Sequence, residues 1–488
     1  MFSASRFTIH DLENRRSRCS SPTANCLPSQ SLTVSPSHSL KVFLLLSSIV
    51  CLIMFCALLA PAQTSGRPGI RHIDRILPEK ERAELINQWL PWRLDHIVPE
   101  LMHREGIDMW LIICRETNED PLLWSLVPEP LLQGRRTMVL VFFDPGSNKP
   151  IERYSLGGGG GLYKQAWTNR DRTQFENLAD LIKKLDPKKI GINTSVAFRT
   201  ADGLTATMKE KLEQHIGPVY TKRLVSAEKL CVGWLETRSP DELNIYTYLC
   251  GIEHDLIAEF YSAGVIIPGV TKTEDVQWWI RDRITGLGLE TWFEPSISIQ
   301  RSPAMEEHYK EKPETIQKGD LLHCDVGIKY LRLCTDMQWH AYVCLPGEKD
   351  APEGLKLALV RAVRTADVFM GEFKEGRSGQ EITELTVQKA TNEGLRARIY
   401  SHPIGYYGHD AGTTMDSRPL NAVYEEMPAV LQYPLHLNTI YAIEFSSTTA
   451  VPEWDNKEVT ISYEEQGVFI KDGCRWVDGN QTALYLIR

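Results

Sequence analysis

The stretch Leu321–Cys344, "LLHCDVGIKYLRLCTDMQWHAYVC", decides the fold. Its apolar residues have strand composition, yet Asp325 and Asp336 stand where a core would hold hydrocarbon. A carboxylate buried in a sheet costs several kcal/mol unless a positive group sits against it. With Leu331-Arg332 as the turn, the segment reads as a hairpin in which Tyr330 faces Leu333, Asp325 faces Gln338 and Gly327 faces Asp336. Strand alternation then puts both aspartates on one face as diagonal neighbours, roughly 7 Å apart at the Cα level. Gly327 opposite Asp336 leaves room for something other than a side chain. Two like charges that close repel and raise one pKa unless cations lie between them. Three arrangements answer this: a carboxylate dyad sharing a proton, a salt bridge to Lys329 or Arg332, or a metal site. The basic residues sit at the turn, which weakens the salt bridge.

Further candidate ligands flank the hairpin. "YSHPIGYYGHDAG" (400–412) sets His402 and His409 seven apart among glycines, "LNTIYAIEFSS" (437–447) carries Glu444, and "VTISYEEQGVFIKDG" (459–473) carries Glu464. His308 lies upstream in "RSPAMEEHYKEKP" (301–313). Each has an ordinary explanation as a surface histidine or a strand-end glutamate. Together, acids in apolar strands and histidines in glycine-containing loops suit Mn²⁺, Fe²⁺, Co²⁺ or Zn²⁺.

The order Asp, ten residues, Asp, then His, Glu and Glu resembles the M24-type metallopeptidase family with the pita-bread fold, which holds methionine aminopeptidase, aminopeptidase P and prolidase. "GDLLHCDVG" with "CTD" is similar to its first two ligands, Asp325 and Asp336, and "HPIGYYGHDAG" to the H-x6-H-D-x-G form of aminopeptidase P and prolidase. The resemblance implies metal ligands Asp325, Asp336, His402, Glu444 and Glu464, and catalytic roles for Glu444, His308 and His409. Glu464 is preferred to Glu465 because the family keeps nine residues from this glutamate to a turn glycine, here Gly473. It further implies two divalent ions, manganese first and zinc, cobalt or iron otherwise, bridged by Asp336 and Glu464 and lowering the pKa of a bridging water. Asp325 would complete one ion; His402 and Glu444 would complete the other. Glu444 would act as general base and then acid, with His308 and His409 on the scissile carbonyl and oxyanion.

Some flanks depart from the family. Phe445 and Ser446 follow Glu444 where Pro-Gly is common, and Ser462 stands where an arginine often precedes the last glutamate. No arginine lies between Pro419 and Asp472 to hold a dipeptide's carboxylate, and Arg418 is the nearest substitute. The implied activity is a metal-dependent aminopeptidase acting on peptides with proline second. The alternatives are a metal-dependent lyase or hydrolase of a small metabolite on the same fold, a metal-stabilised binding protein, and a metal-free enzyme like creatinase.

Around this core, 488 residues with 42% hydrophobic and 24% charged composition suit two or three globular domains. The net charge of −9 argues against nucleic acid as a partner and leaves a peptide or small substrate. The expected organisation is a leader and linker over 1–66, a creatinase-like N-terminal α/β domain over 67–235 and the pita-bread catalytic domain over 236–488, α/β followed by α+β. A homodimer or higher homo-oligomer is expected. Residues 42–60 form nineteen uncharged positions ending at Ala60-Pro61-Ala62. They predict export with cleavage near Ala62, or else a membrane anchor. Helical patterning covers Pro78–Leu90 and Arg93–Arg104, and strands are expected over Asp108–Arg115 and Thr137–Asp144. Ser239, Pro240 and Glu242 predict a capped helix start, and Thr271 with Glu274 a second. Gly157–Gly161 lacks the spacing of a P-loop and is read as a surface loop. Eleven cysteines without CxxC pairs suggest no zinc finger, and most are expected as small packed side chains.

Overall fold

A computed structural model describes residues 71–146, 149–418 and 427–488. The predicted leader or anchor lies outside the described residues. No helix among the described residues is long and apolar enough to cross a membrane. Residues 70–488 form one compact unit.

The first sheet is built from β1 (Met109–Arg115), β2 (Thr137–Phe143), β3 (Glu152–Leu156), β4 (Lys164–Gln165), β5 (Ile190–Ile192) and β6 (Leu224–Ser226), in the order β4-β3-β2-β1-β5-β6. β1 is buried over its first six residues, as its near-continuous apolar run requires for a central strand covered on both faces. Gly157–Gly161 connects β3 to β4, with positive φ at Gly157, Gly159 and Gly160. In place of two helices, one runs from Glu79 to Glu105 through Pro91 and Pro99. The proline penalty is outweighed because Leu90, Leu94, Ile97, Val98 and Leu101 all bury in one core.

The junction at 234–242 is buried. Arg93 of the long helix donates to the carbonyls of Trp234 and Thr237 and, at 2.6 Å, to Glu242. Ser239 and Glu242 form the predicted capping box of the helix Pro240–Phe260. The next helix, Thr273–Gly286, starts later than expected. Its N-cap is Lys272 and Asp275 closes the turn, because the Thr271 hydroxyl is taken by the Ile267 amide.

The remaining strands are β7 (Glu290–Thr291), β8 (Ser296–Gln300), β9 (Leu321–Val326), β10 (Ile328–Tyr330), β11 (Leu333–Cys334), β12 (Met337–Val343), β13 (Ala397–Pro403), β14 (Met415–Asp416), β15 (Thr439–Val451), β16 (Lys457–Ile470), β17 (Gly473–Trp476) and β18 (Tyr485–Ile487). Nine of them form one sheet, β14-β13-β15-β16-β12-β9-β8, with β17 on β16 and β18 on β12. The helices Glu353–Met370 and Gly379–Asn392 pack apolar residues against it. The hairpin has the expected register, Asp325 facing Gln338 and Tyr330 facing Leu333. Its turn residues Leu331 and Arg332 take positive φ. Arg332 is held there by Glu129 at 2.6 Å and the Val127 carbonyl at 2.9 Å, so it does not pair with the aspartates. The seven cysteines among the described residues are free, six of them buried.

Candidate metal centre

One rung of the large sheet carries most of the site. Asp325 of β9 faces Gln338 of β12, Gln338 faces Glu464 of β16, and Glu464 faces Glu444 of β15. Directly facing residues project to the same side, and neighbouring strands lie about 4.8 Å apart. Asp336 shares that side by alternation from Gln338. His402 enters from β13, opposite Ala442 and so next to Glu444.

His402 supplies the strongest electrostatic argument. Its Nδ1 lies 3.0 Å from the Pro403 carbonyl, which can only accept, so Nδ1 carries the hydrogen and Nε2 presents a lone pair. That Nε2 stands 3.8 Å from Asp336 Oδ2, 3.9 Å from Glu444 Oε2 and 3.9 Å from Glu464 Oε1. Lone pair against carboxylates is repulsive unless a cation or protons intervene. Asp336 Oδ1, His402 Nε2 and Glu464 Oε1 are buried with no hydrogen-bond partner, and single ligand atoms of Asp336, His402 and Glu464 lie within 4.8 Å of one another. This donor set fits a divalent cation.

The charges confirm the strain. Burial, and then Asp325 and Glu444 beside it, push Asp336 well above the ordinary carboxylate range. Burial followed by Asp336 and Glu444 does the same to Glu464. Burial and Asp325 raise Glu444 to about 8, and burial raises Asp325 to about 6. His402 falls to about 3 through burial and the nearby His409.

The expected residues are not all equally placed. Asp325 lies beside Asp336. The His409 ring stands perpendicular to His402 at 4.4 Å and packs on Trp292 at 5.3 Å. It borders a cavity of about 200 Å³ lined also by Arg199, Lys329, Tyr406 and Tyr407. His308 ends a short exposed helix, Pro303–His308, with its ring on Tyr309. Glu465 points to the opposite side, where it pairs with His254 at 3.0 Å. Arg418 is engaged by Asp416.

Two details differ from the reading of the hairpin. The space at Gly327 is filled by Trp292: a Cβ there would collide with its indole nitrogen, the Thr335 carbonyl and Phe293. Gly408 offers the indole a second slot, so two glycines seat the ring that packs on His409. The overlooked member of the site is Gln338, whose Nε2 donates to Glu444 at 3.0 Å and to Glu464 at 2.6 Å. Its place opposite Asp325 in the hairpin was the available signal.

Residues 247–476 match the profile of Metallopeptidase family M24. No curated protein sequence matches the chain. Among solved structures, the chain is similar to an X-Pro aminopeptidase from Thermotoga maritima, with 13% identity and a TM-score of 0.55, covering 79% of this chain and 99% of that one. It is also similar to a dipeptidase from Pyrococcus horikoshii, at 15% identity and a TM-score of 0.53 over 81% and 100% of the two chains. An Xaa-Pro dipeptidase from Bacillus anthracis matches at 15% identity and 0.51, over 83% and 99%. At these identities the likeness establishes the fold alone, a pita-bread part preceded by an α/β part. The likeness to metallopeptidase family M24 spans residues 247–476, a little under half of the chain.

Proposed function

We propose that the chain is a metal-dependent aminopeptidase that removes the N-terminal residue of peptides with proline in second position. The observation that carries this is the convergence of His402 Nε2, with its free lone pair, on Asp336, Glu444 and Glu464. A divalent cation held by those residues supplies an acidified water and polarises a carbonyl. Glu444 is the ligand with access to solvent, its side chain 21% exposed against 5% or less for Asp336, His402 and Glu464. It is therefore the residue to take the water's proton at a carboxylate oxygen and return it to the leaving nitrogen. His409, kept neutral by burial and by Arg199, can donate a hydrogen bond toward the substrate. His308 enters this reading through the family resemblance alone. The aromatic walls of the cavity beside His409 suit a pyrrolidine ring.

Export near Ala62 and a self-associated state belong to the same proposal, resting on residues 42–62 and on the resemblance. Xaa-Pro-Yaa peptides incubated with metal-loaded protein should release the first residue, and the Glu444→Ala variant should not. Metal-loaded protein that leaves a panel of such peptides intact would count against a peptidase and in favour of small-metabolite chemistry on this fold.

A further inference from the structure

Gln338 occupies the rung between Asp325 and Glu464, on a strand paired directly to both. A second cation completed by Asp325 would have to lie on this stretch of the rung. The carboxamide there is locked. Its Oε1 accepts from His323 Nε2 at 2.9 Å, so the other ring nitrogen, Nδ1, accepts from the Ser298 hydroxyl at 3.1 Å. Its Nε2 donates to Glu444 Oε1 and Glu464 Oε2. A flipped amide would set its oxygen against two carboxylates, so the orientation with Nε2 toward the glutamates is the favoured one. His323 is half-buried and packs, tilted, at 5.1 Å on the buried His340, which leaves the chain of donors little freedom.

The two glutamates are thereby divided. One oxygen of each, Glu444 Oε1 and Glu464 Oε2, is taken by the amide; the other, Glu444 Oε2 and Glu464 Oε1, faces His402 Nε2. N–H hydrogens aimed at Glu444 and Glu464 repel a cation that would bridge those oxygens to Asp325, and they neutralise part of the carboxylate charge that would attract one. We propose that this chain binds one divalent cation tightly, on Asp336, His402, Glu444 and Glu464, and that the Gln338 carboxamide takes the place of the second. Asp325, across the strand from Gln338, is then not a ligand. Gln338 is a positioning residue, acting through the glutamates it orients. The inference rests on the metal-binding part of the proposed function and revises the count of two ions implied by the resemblance.

The test is metal stoichiometry. Full-length protein stripped with a chelator is titrated with Mn²⁺ by calorimetry, and bound metal is counted by mass spectrometry after dialysis. Wild type should bind one tight equivalent. Gln338→Ser should gain a second, with affinity at that position rising about tenfold or more. Asp325→Asn should leave the wild-type equivalent unchanged and remove the extra one from Gln338→Ser. Electron paramagnetic resonance of Mn²⁺-saturated wild type should show an isolated ion, a readout that needs no variant to fold. Two equivalents of similar affinity in wild type, or a spin-coupled pair, would overturn the proposal, as would a Gln338→Ser protein still limited to one. Binding of no metal at all would overturn the metal reading itself, and neither outcome depends on a cleavage assay.

Discussion

His402 Nε2 faces Glu444 Oε2 at 3.9 Å with its hydrogen committed to the other ring nitrogen, so the pair is stable only with a cation or a proton between them. Glu444→Gln keeps the shape and removes the base. We expect kcat on an Xaa-Pro-Yaa peptide to fall about 10²–10⁴-fold. His402→Ala should also lose bound metal by elemental analysis. Metal content unchanged in His402→Ala would remove the histidine from the ligand set.

The raised carboxylates make the stability of the metal-free protein depend on pH. Asp325 titrates near 6 and Glu444 near 8 when folded, above their ordinary values of 3.8 and 4.5. Between these limits the folded state binds more protons than the unfolded one, so stability is full below about pH 4 for these groups and is lost as pH rises toward 8. The melting temperature of chelator-treated protein should fall from pH 5 to pH 8. Mn²⁺ should raise it more at pH 8, because the ion and protons compete for the same oxygens. A metal-induced gain that is the same at both pH values would contradict this.

His254 adds a loss of stability in the same direction over a higher pH range. Burial opposes its charge, but Glu465 at 3.0 Å and Asp478 at 3.4 Å raise it to about 10. Its contribution is present below the ordinary pKa of 6.5 and lost as pH rises through 10. His254→Gln should cost about 2 kcal/mol at pH 6 by urea denaturation, and the gap from wild type should narrow between pH 6.5 and 10. A gap independent of pH would show that the charge contributes nothing.

Gly327→Ala tests what fills the hairpin. The added methyl group meets Trp292 and backbone, so a loss of about 1–3 kcal/mol is expected from overpacking. Trp292 also seats His409, so KM for a peptide should rise while metal stoichiometry holds. A drop in bound metal would return the glycine to the role of making space for ions.

Much of the site could be read from pattern. Strand alternation and the turn at Leu331-Arg332 were enough to place Asp325 opposite Gln338, and the polar residues in apolar strands stood out because burying charge is costly. Ser239 and Glu242 marked a helix start through short-range hydrogen bonds, which local sequence encodes. The failures are long-range. The helix crossing Pro91 depends on a core assembled from distant residues, and the Gly327 slot on an indole 35 positions away. Gln338 carries no charge and so raised no alarm, although it faces Asp325. His308 ends an exposed helix with its ring on Tyr309.

The rung that holds the site joins Asp325 to Glu464, with His402 and Glu444 between them in the chain. While the polypeptide is being made, the strand carrying the last glutamate leaves the ribosome long after both aspartates. Until then Gln338 has no Glu464 to orient and Asp336 no partner across the seam. The proposed ligand set is therefore complete only once synthesis has passed Glu464.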